Sequence, residues 1–157
     1  MVLAFSTKAE ERFQELLTRY PNKQAPLLQV LHLAQEEFGY ISEDVQRYVA
    51  GRLSLPLAHV YGVVTFYTMY HQKPVGKYFV EVCTSLSCEI LGANKIADHC
   101  KKKLGLNFKE TTADKRFTLA EAECLAACGG APCLQINGEY HENLTVDSLD
   151  RLLDSLK

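Results

Sequence analysis

The chain has 157 residues, 47% of them hydrophobic, which is typical of one globular domain or of two small ones. Its net charge of −2 gives no basic footprint for nucleic acid. No apolar run approaches the roughly 18 residues that indicate a membrane helix, and the apolar stretch before Lys8 is too short for a signal peptide. We therefore expect a cytoplasmic protein without direct membrane insertion. Its six cysteines should then stay reduced rather than form three disulfides.

The first half of the chain shows helical periodicity. Four segments carry apolar residues at helical spacing. Thr7-x-x-Glu10 predicts a capping box at the first helix, Pro26 precedes the second, and Ser42 is the predicted cap of the third. The fourth segment begins near Pro56. Because each apolar stripe covers only one side of its helix, we predict that residues 1–73 form a small helical bundle.

The second half changes to mixed strands and helices after a connection at Pro74 and Gly76. The predicted order is a strand, a helix, three strands and a final helix that Thr145 caps. The ranges before that last helix are 78–82, 89–103, 117–125, 133–136 and 139–141. This order suits a small sheet with helices packed on it. We therefore predict an α+β chain with two domains, residues 1–73 and residues 74–157.

Four cysteines form two short pairs, Cys83-x4-Cys88 and Cys124-x3-Cys128. Each pair lies near the C-terminal end of a predicted strand, where loops from neighbouring strands can converge. Four thiolates are a complete ligand set for zinc or for an iron–sulfur cluster. The gap of two residues that zinc knuckles usually contain is absent from both pairs. The spacing therefore favours an iron–sulfur cluster and leaves structural zinc as the alternative.

The two remaining cysteines, Cys100 and Cys133, are predicted to be core or near-surface thiols and not ligands, because free cysteine often packs as a small hydrophobic residue. The five histidines are scattered along the chain, and no G-x-G-x-x-G or P-loop sequence is present. We therefore expect neither a catalytic residue nor a nucleotide site on this chain.

The chain resembles a known family over nearly its whole length. The resemblance is carried by the helical first half and by the stretches HVYGVVTFYTMY, CTSLSC, FTLAEAECLAAC and GGAP. These are similar to the 24-kDa-type (E) subunit of respiratory complex I, the bacterial NADH–quinone oxidoreductase. The resemblance implies a helical bundle followed by a thioredoxin-like domain that holds one [2Fe–2S] cluster. The implied ligands are Cys83, Cys88, Cys124 and Cys128.

Two positions depart from the family pattern. The second cysteine pair of the family usually reads Cys-Leu-Gly-x-Cys, whereas Ala126 stands at the glycine position here. Cys133 stands where the family more often has an aliphatic residue. The first change could adjust the loop or its hydrogen bonds to sulfur, and the second supports a core position for Cys133.

The resemblance also implies the partners. In the family this subunit docks on the larger subunit that binds NADH and FMN, and further iron–sulfur subunits carry electrons towards quinone. The present chain would be a non-catalytic electron-transfer subunit in the peripheral arm of this translocase, on the cytoplasmic face of the inner membrane. It has no sequence typical of a transit peptide. Three alternatives remain: the equivalent subunit of an NAD-linked hydrogenase or formate dehydrogenase, a free-standing thioredoxin-like ferredoxin, and a structural zinc protein.

Residues 1–73 are expected to serve docking, because they contain no cysteine. The aromatic stretch 64–71 could pack in a core or form a partner surface, since aromatic residues and Met are enriched at interfaces. The candidate contact residues are Phe66, Tyr67, Met69 and Tyr70.

Overall fold

The computed structural model describes residues 3–156. The described residues divide into two compact units, one that ends at Pro74 and one that begins at Val75, and each unit has its own apolar core. The boundary expected from the sequence lay between residues 73 and 74. Among the described residues, none of the helices is long and apolar enough to cross a membrane.

The first unit contains four helices that share one apolar core. They are α1 (Thr7–Thr18), α2 (Leu27–Phe38), α3 (Glu43–Leu53) and α4 (Leu57–Phe66). Each helix contributes fully buried side chains to the core, among them Phe13, Leu31, Val49 and Val60. The one-sided apolar stripes of the sequence therefore face a common interior, as their helical spacing requires.

The beginnings of α1 and α3 show how the sequence sets helix ends. The Oγ atom of Ser42 accepts a hydrogen bond from the N–H group of Val45 and caps α3, as predicted. At α1 the predicted capping box from Thr7 to Glu10 is wrong. Ser6 is the cap, and its Oγ atom accepts from the N–H group of Ala9 at 3.3 Å. Serine and threonine are both good caps, so adjacent residues of these types leave the first residue of a helix ambiguous.

Arg52 joins α3 to α1 at the edge of this core. Its guanidinium donates hydrogen bonds to the two carboxylate oxygens of Glu10 at 2.6 and 2.8 Å. The same group lies over the ring of Phe13, 4.2 Å from the ring centroid. The hydrogen bond from Arg52 is the main reason why the pKa of Glu10 lies below its ordinary value.

The aromatic stretch that follows α4 divides into exposed and buried residues. Phe66 is 77% exposed, Tyr67 37% and Met69 39%. Tyr70 is only 3% exposed, and its hydroxyl donates to the carbonyl oxygen of Leu28 at 3.0 Å. Tyr70 is therefore a core residue, which is one of the two possibilities expected for this stretch.

The second unit is built on a mixed five-stranded sheet. Its strands are β1 (Tyr78–Cys83), β2 (Glu110–Thr111), β3 (Phe117–Ala122), β4 (Leu134–Ile136) and β5 (Glu139–His141). Their spatial order is β2-β3-β1-β4-β5. The central strand β1 is parallel to β3 and antiparallel to β4. Together with the helices, this mixed sheet confirms the α+β class.

The helices of the second unit are α5 (Leu86–Ile90), α6 (Ala93–Leu104) and α7 (Val146–Ser155). The single helix predicted for residues 89–103 is wrong, because Gly92 has a φ of 99° and separates α5 from α6. A positive φ suits glycine and is incompatible with a continuing α-helix. The strand β2 was not predicted, since two residues are too few to show an alternating pattern.

The core of the second unit lies between the sheet and its helices. Cys100 of α6 is fully buried there, so of the two positions expected from the sequence, core or near-surface, it occupies the core. Burial raises the pKa of its thiol to about 12, so this cysteine stays protonated at neutral pH. It behaves as a small apolar residue.

Candidate metal centre

Three cysteine side chains meet at one end of the sheet. Cys83 is the last residue of β1, Cys88 lies in α5, and Cys133 directly precedes β4. The N–H group of Cys83 donates to the carbonyl oxygen of Cys133 at 3.1 Å, which extends the β1–β4 pairing by one more bond. The three Sγ atoms all lie within 4.8 Å of one another. The Sγ atoms of Cys88 and Cys133 are 3.8 Å apart.

These three thiols are enclosed by a small apolar cluster. None of the three is more than 2% exposed. The other buried members of the cluster are Ala93, Leu125 and Ala131. A site of this kind is shielded from bulk water, which strengthens any electrostatic interaction between sulfur and a bound cation.

The surroundings of Cys83 favour its thiolate form. Burial raises the pKa of this thiol, but backbone hydrogen bonds from Ser85 and Leu125 outweigh that effect. Hydrogen bonds with the thiols of Cys88 and Cys133 act in the same direction, and the pKa of Cys83 lies below its ordinary value. The thiolate is the form that binds metal, so this environment suits Cys83 as a ligand.

Cys88 and Cys133 have the opposite tendency. Burial is the largest cause and raises the pKa of both thiols. A hydrogen bond with the thiol of Cys83 raises the pKa of Cys88 further, and a hydrogen bond with the thiol of Cys88 does the same for Cys133. For Cys133 the pKa reaches about 12. A bound metal cation compensates the negative charge of a buried thiolate. Both groups can therefore bind metal once they release their protons to solvent.

The second predicted pair lies in the loop between β3 and β4. Both Cys124 and Cys128 are exposed, and Cys128 begins a single turn of 3-10 helix that ends at Gly130. The N–H group of Ala126 donates to the Sγ atom of Cys124 at 3.3 Å. Ala126 has a φ of 57°, in the left-handed region that favours glycine.

Leu125 anchors this loop beside the buried thiols. Its side chain belongs to the same apolar cluster as Cys83, and its backbone is one of the causes that lower the pKa of that thiol. The hydroxyl of Tyr140 in β5 donates to the carbonyl oxygen of Leu125 at 2.9 Å. The loop that carries the exposed pair is therefore attached to the buried site at Leu125.

The structure thus brings together one predicted pair and one cysteine that was not predicted to be a ligand. Within residues 3–156, the group of close thiols comprises Cys83, Cys88 and Cys133 and does not include Cys124 or Cys128. The predicted burial of Cys133 is confirmed, since its exposed fraction is 0%. Its closeness to the first pair was missed. That contact depends on β4 pairing with β1, and local sequence does not specify which strands become neighbours.

A mixed sheet with flanking helices and cysteines at its loop end defines a class of small α+β domains with a thiol-rich candidate metal centre. Residues 13–157 match the model of one such family, the thioredoxin-like [2Fe-2S] ferredoxins. The chain belongs to this family.

Two relatives illustrate the similarity. The E subunit of the NADH-quinone oxidoreductase from Rickettsia conorii is 42% identical over 156 residues, which cover 98% of this chain and 93% of the relative. The protein of the same name from Mycobacterium bovis is 42% identical over 144 residues, which cover 92% of this chain and 57% of the relative.

Solved structures share the fold. A chain of an NAD+-reducing [NiFe]-hydrogenase in its air-oxidized state superposes with a TM-score of 0.73 over 83% of this chain. The sequences are 21% identical, and the matched part spans 22% of the hydrogenase chain. The same enzyme in its H2-reduced state gives a TM-score of 0.74. At this identity the likeness describes the fold alone, which is thioredoxin-like.

Proposed function

We propose that this chain is the E-type electron-transfer subunit of an NADH:quinone oxidoreductase and that it carries one [2Fe–2S] cluster. The observation that carries the proposal is the buried pair Cys83 and Cys88 beside a loop with a second cysteine pair, in a chain of the thioredoxin-like [2Fe-2S] ferredoxin family. A cluster of this type accepts and releases single electrons. NADH and FMN bind to the partner subunit, and this chain takes no part in hydride transfer.

The ligands we propose are Cys83, Cys88, Cys124 and Cys128, two thiolates for each iron. Leu125 supports this assignment, because its side chain packs in the apolar cluster of Cys83 and so holds the second pair's loop beside that residue. The donor set is sulfur only, which suits iron–sulfur chemistry.

Backbone N–H groups supply the remaining part of the site. Ser85 and Leu125 form hydrogen bonds with the sulfur of Cys83, and Ala126 donates to that of Cys124. Such hydrogen bonds stabilise negative charge on sulfur and tune the reduction potential of a bound cluster. These residues would therefore set how readily the site takes up an electron.

The decisive experiment is metal analysis of the full chain, purified without oxygen after expression with ample iron. We expect about two irons and two acid-labile sulfides per chain, the stoichiometry of this cluster type. Cys124→Ala should lose the cluster, and Cys100→Ala is the matched control that should retain both its visible absorption and its reduced-state EPR signal. A colourless zinc protein under these conditions would refute the proposal in favour of structural zinc.

We further propose that the first unit contributes to docking on the flavoprotein subunit, within a peripheral arm at the cytoplasmic face of the membrane. Phe66 and Met69 support this role, because they are large, apolar and well exposed. Replacement of both by Ser should weaken association with the flavoprotein, whereas the exposed Val146 of α7 is a control whose change to Ser should have no effect. Equal binding by both variants would contradict the docking assignment.

Copurification identifies the parent complex. A tagged full chain in its native cell should bring down a flavin-containing NADH oxidoreductase with further iron–sulfur subunits. Recovery of a hydrogenase or formate dehydrogenase would assign the same electron-transfer role to another complex. Recovery of an iron–sulfur protein without any flavoprotein would indicate a free-standing ferredoxin.

A further inference from the structure

The third buried thiol, Cys133, lies outside the ligand set proposed for the cluster, yet it is as close to that site as a ligand. Its Sγ atom is 3.8 Å from that of Cys88 and within 4.8 Å of that of Cys83. Its exposed fraction is 0%. Apolar packing alone does not explain why three buried thiols lie this close together.

The separations match the coordination of a single metal ion. A tetrahedral ion with metal–sulfur distances of about 2.3 Å holds each pair of its sulfurs roughly 3.8 Å apart. The Cys88–Cys133 separation of 3.8 Å equals this edge length, and the 4.8 Å limit on the other two needs only small side-chain shifts. Each sulfur comes from a different segment, namely the end of β1, the helix α5 and the residue before β4. Because no two of the three sulfurs are more than 4.8 Å apart, they form a triangle around a point rather than a row.

We propose that Cys83, Cys88 and Cys133 form a three-thiolate site for one thiophilic divalent cation of the zinc group, zinc or cadmium. Binding would release up to three protons to solvent and leave one net negative charge on the ion with its three thiolates. The backbone hydrogen bonds from Ser85 and Leu125 to the sulfur of Cys83 help to stabilise that charge. A solvent molecule or buffer anion would complete the tetrahedron.

This site and the cluster cannot be occupied together, because both use Cys83 and Cys88. The ion site itself does not depend on the proposed function, whereas its competition with the cluster does. A zinc-group ion bound before iron and sulfide would block cluster formation. Cys133 thus makes this chain more sensitive to such ions than a relative with an aliphatic residue at that position.

The test uses the full chain, reduced and stripped of metals, titrated with cadmium ion under anaerobic conditions. The intensity of the sulfur-to-cadmium charge-transfer absorbance, per bound ion, reports how many thiolates bind that ion. We expect one cadmium per chain, and Cys133→Val should lower the absorbance per bound ion by about one third and weaken binding at least about tenfold. Cys100→Ala is the control that should change neither value. Valine keeps the site apolar and similar in size, and circular dichroism verifies that each variant is folded.

Two outcomes would overturn the proposal. One is an unchanged charge-transfer absorbance in Cys133→Val together with a decrease in Cys124→Ala, which would assign the ion to the two sequence-predicted pairs. The other outcome is a cadmium NMR chemical shift, measured on the unaltered chain, that is typical of four thiolate ligands rather than three.

Competition is tested separately, by reconstitution of the cluster after cadmium loading. We expect slower recovery of the visible absorption in the unaltered chain than in Cys133→Val. Equal recovery would refute the competition. Absence of any cluster without cadmium would instead refute the proposed function and leave the ion site standing.

Discussion

Ala126 offers a sharp test of how the cysteine loop is built. It has a φ of 57°, it is exposed, and its N–H group donates to the Sγ atom of Cys124 at 3.3 Å. The left-handed conformation costs an L-residue about 1–2 kcal/mol, because its Cβ approaches the following carbonyl oxygen. Glycine avoids that cost and keeps the N–H group.

Ala126→Gly should therefore stabilise the chain. The backbone strain removed is about 1–2 kcal/mol, and the larger unfolded-state entropy of glycine offsets roughly 0.5–1 kcal/mol of it. The exposed methyl group makes no buried contact that would be lost. The net gain is about 0.5–1 kcal/mol, or roughly 1–4 °C in Tm for a chain of this length.

Thermal and urea unfolding of the full chain, followed by circular dichroism, measures this gain. The adjacent Ala127 is the matched control, because its φ is −103° and needs no glycine. Ala127→Gly should destabilise the chain by at least about 0.4–1 kcal/mol, through unfolded-state entropy and through loss of a methyl group that packs against the apolar cluster of Cys83. Equal shifts of the same sign in both variants would refute the argument that the left-handed conformation is the cause.

Two further predictions concern the loop after the second cysteine pair and the edge of the helical core. Gly130→Ala should destabilise the chain by about 1–3 kcal/mol in urea unfolding, because the added Cβ would lie 2.6 Å from the Cβ of Glu142. Gly129→Ala has open space and should stay within about 0.5 kcal/mol, and equal effects would contradict the steric explanation. Glu10→Gln should lower stability at pH 7 by less than about 1 kcal/mol, since the ion pair with Arg52 is partly exposed. The pKa of Glu10 is lowered in the folded state, so this stability is present above its ordinary value of 4.5 and is lost as the pH falls below it. The difference between the two proteins in urea unfolding should therefore shrink at acidic pH, and a constant difference would exclude the charge as its origin.

Local sequence was sufficient for most of the elements and for the two cysteine pairs. Helical spacing of apolar residues identified the four helices of the first unit, and the caps of α3 and α7 followed from single hydroxyl residues. The pairs Cys83–Cys88 and Cys124–Cys128 were recognisable because their spacing is a property of the chain alone. These features depend on interactions between residues a few positions apart, which is the range over which sequence patterns are informative.

Tertiary structure decided the features that depend on distant neighbours. The break between α5 and α6 at Gly92 was visible only in the backbone angles. The buried Tyr70 forms its hydrogen bond with Leu28, which lies 42 positions away in the sequence. From the sequence alone, Cys133 was interpreted as an ordinary core residue. The pairing of β4 with β1 places its sulfur beside those of Cys83 and Cys88. Strand neighbours are selected by the packing of the whole sheet. No local pattern could therefore have assigned this third thiol to the candidate metal centre.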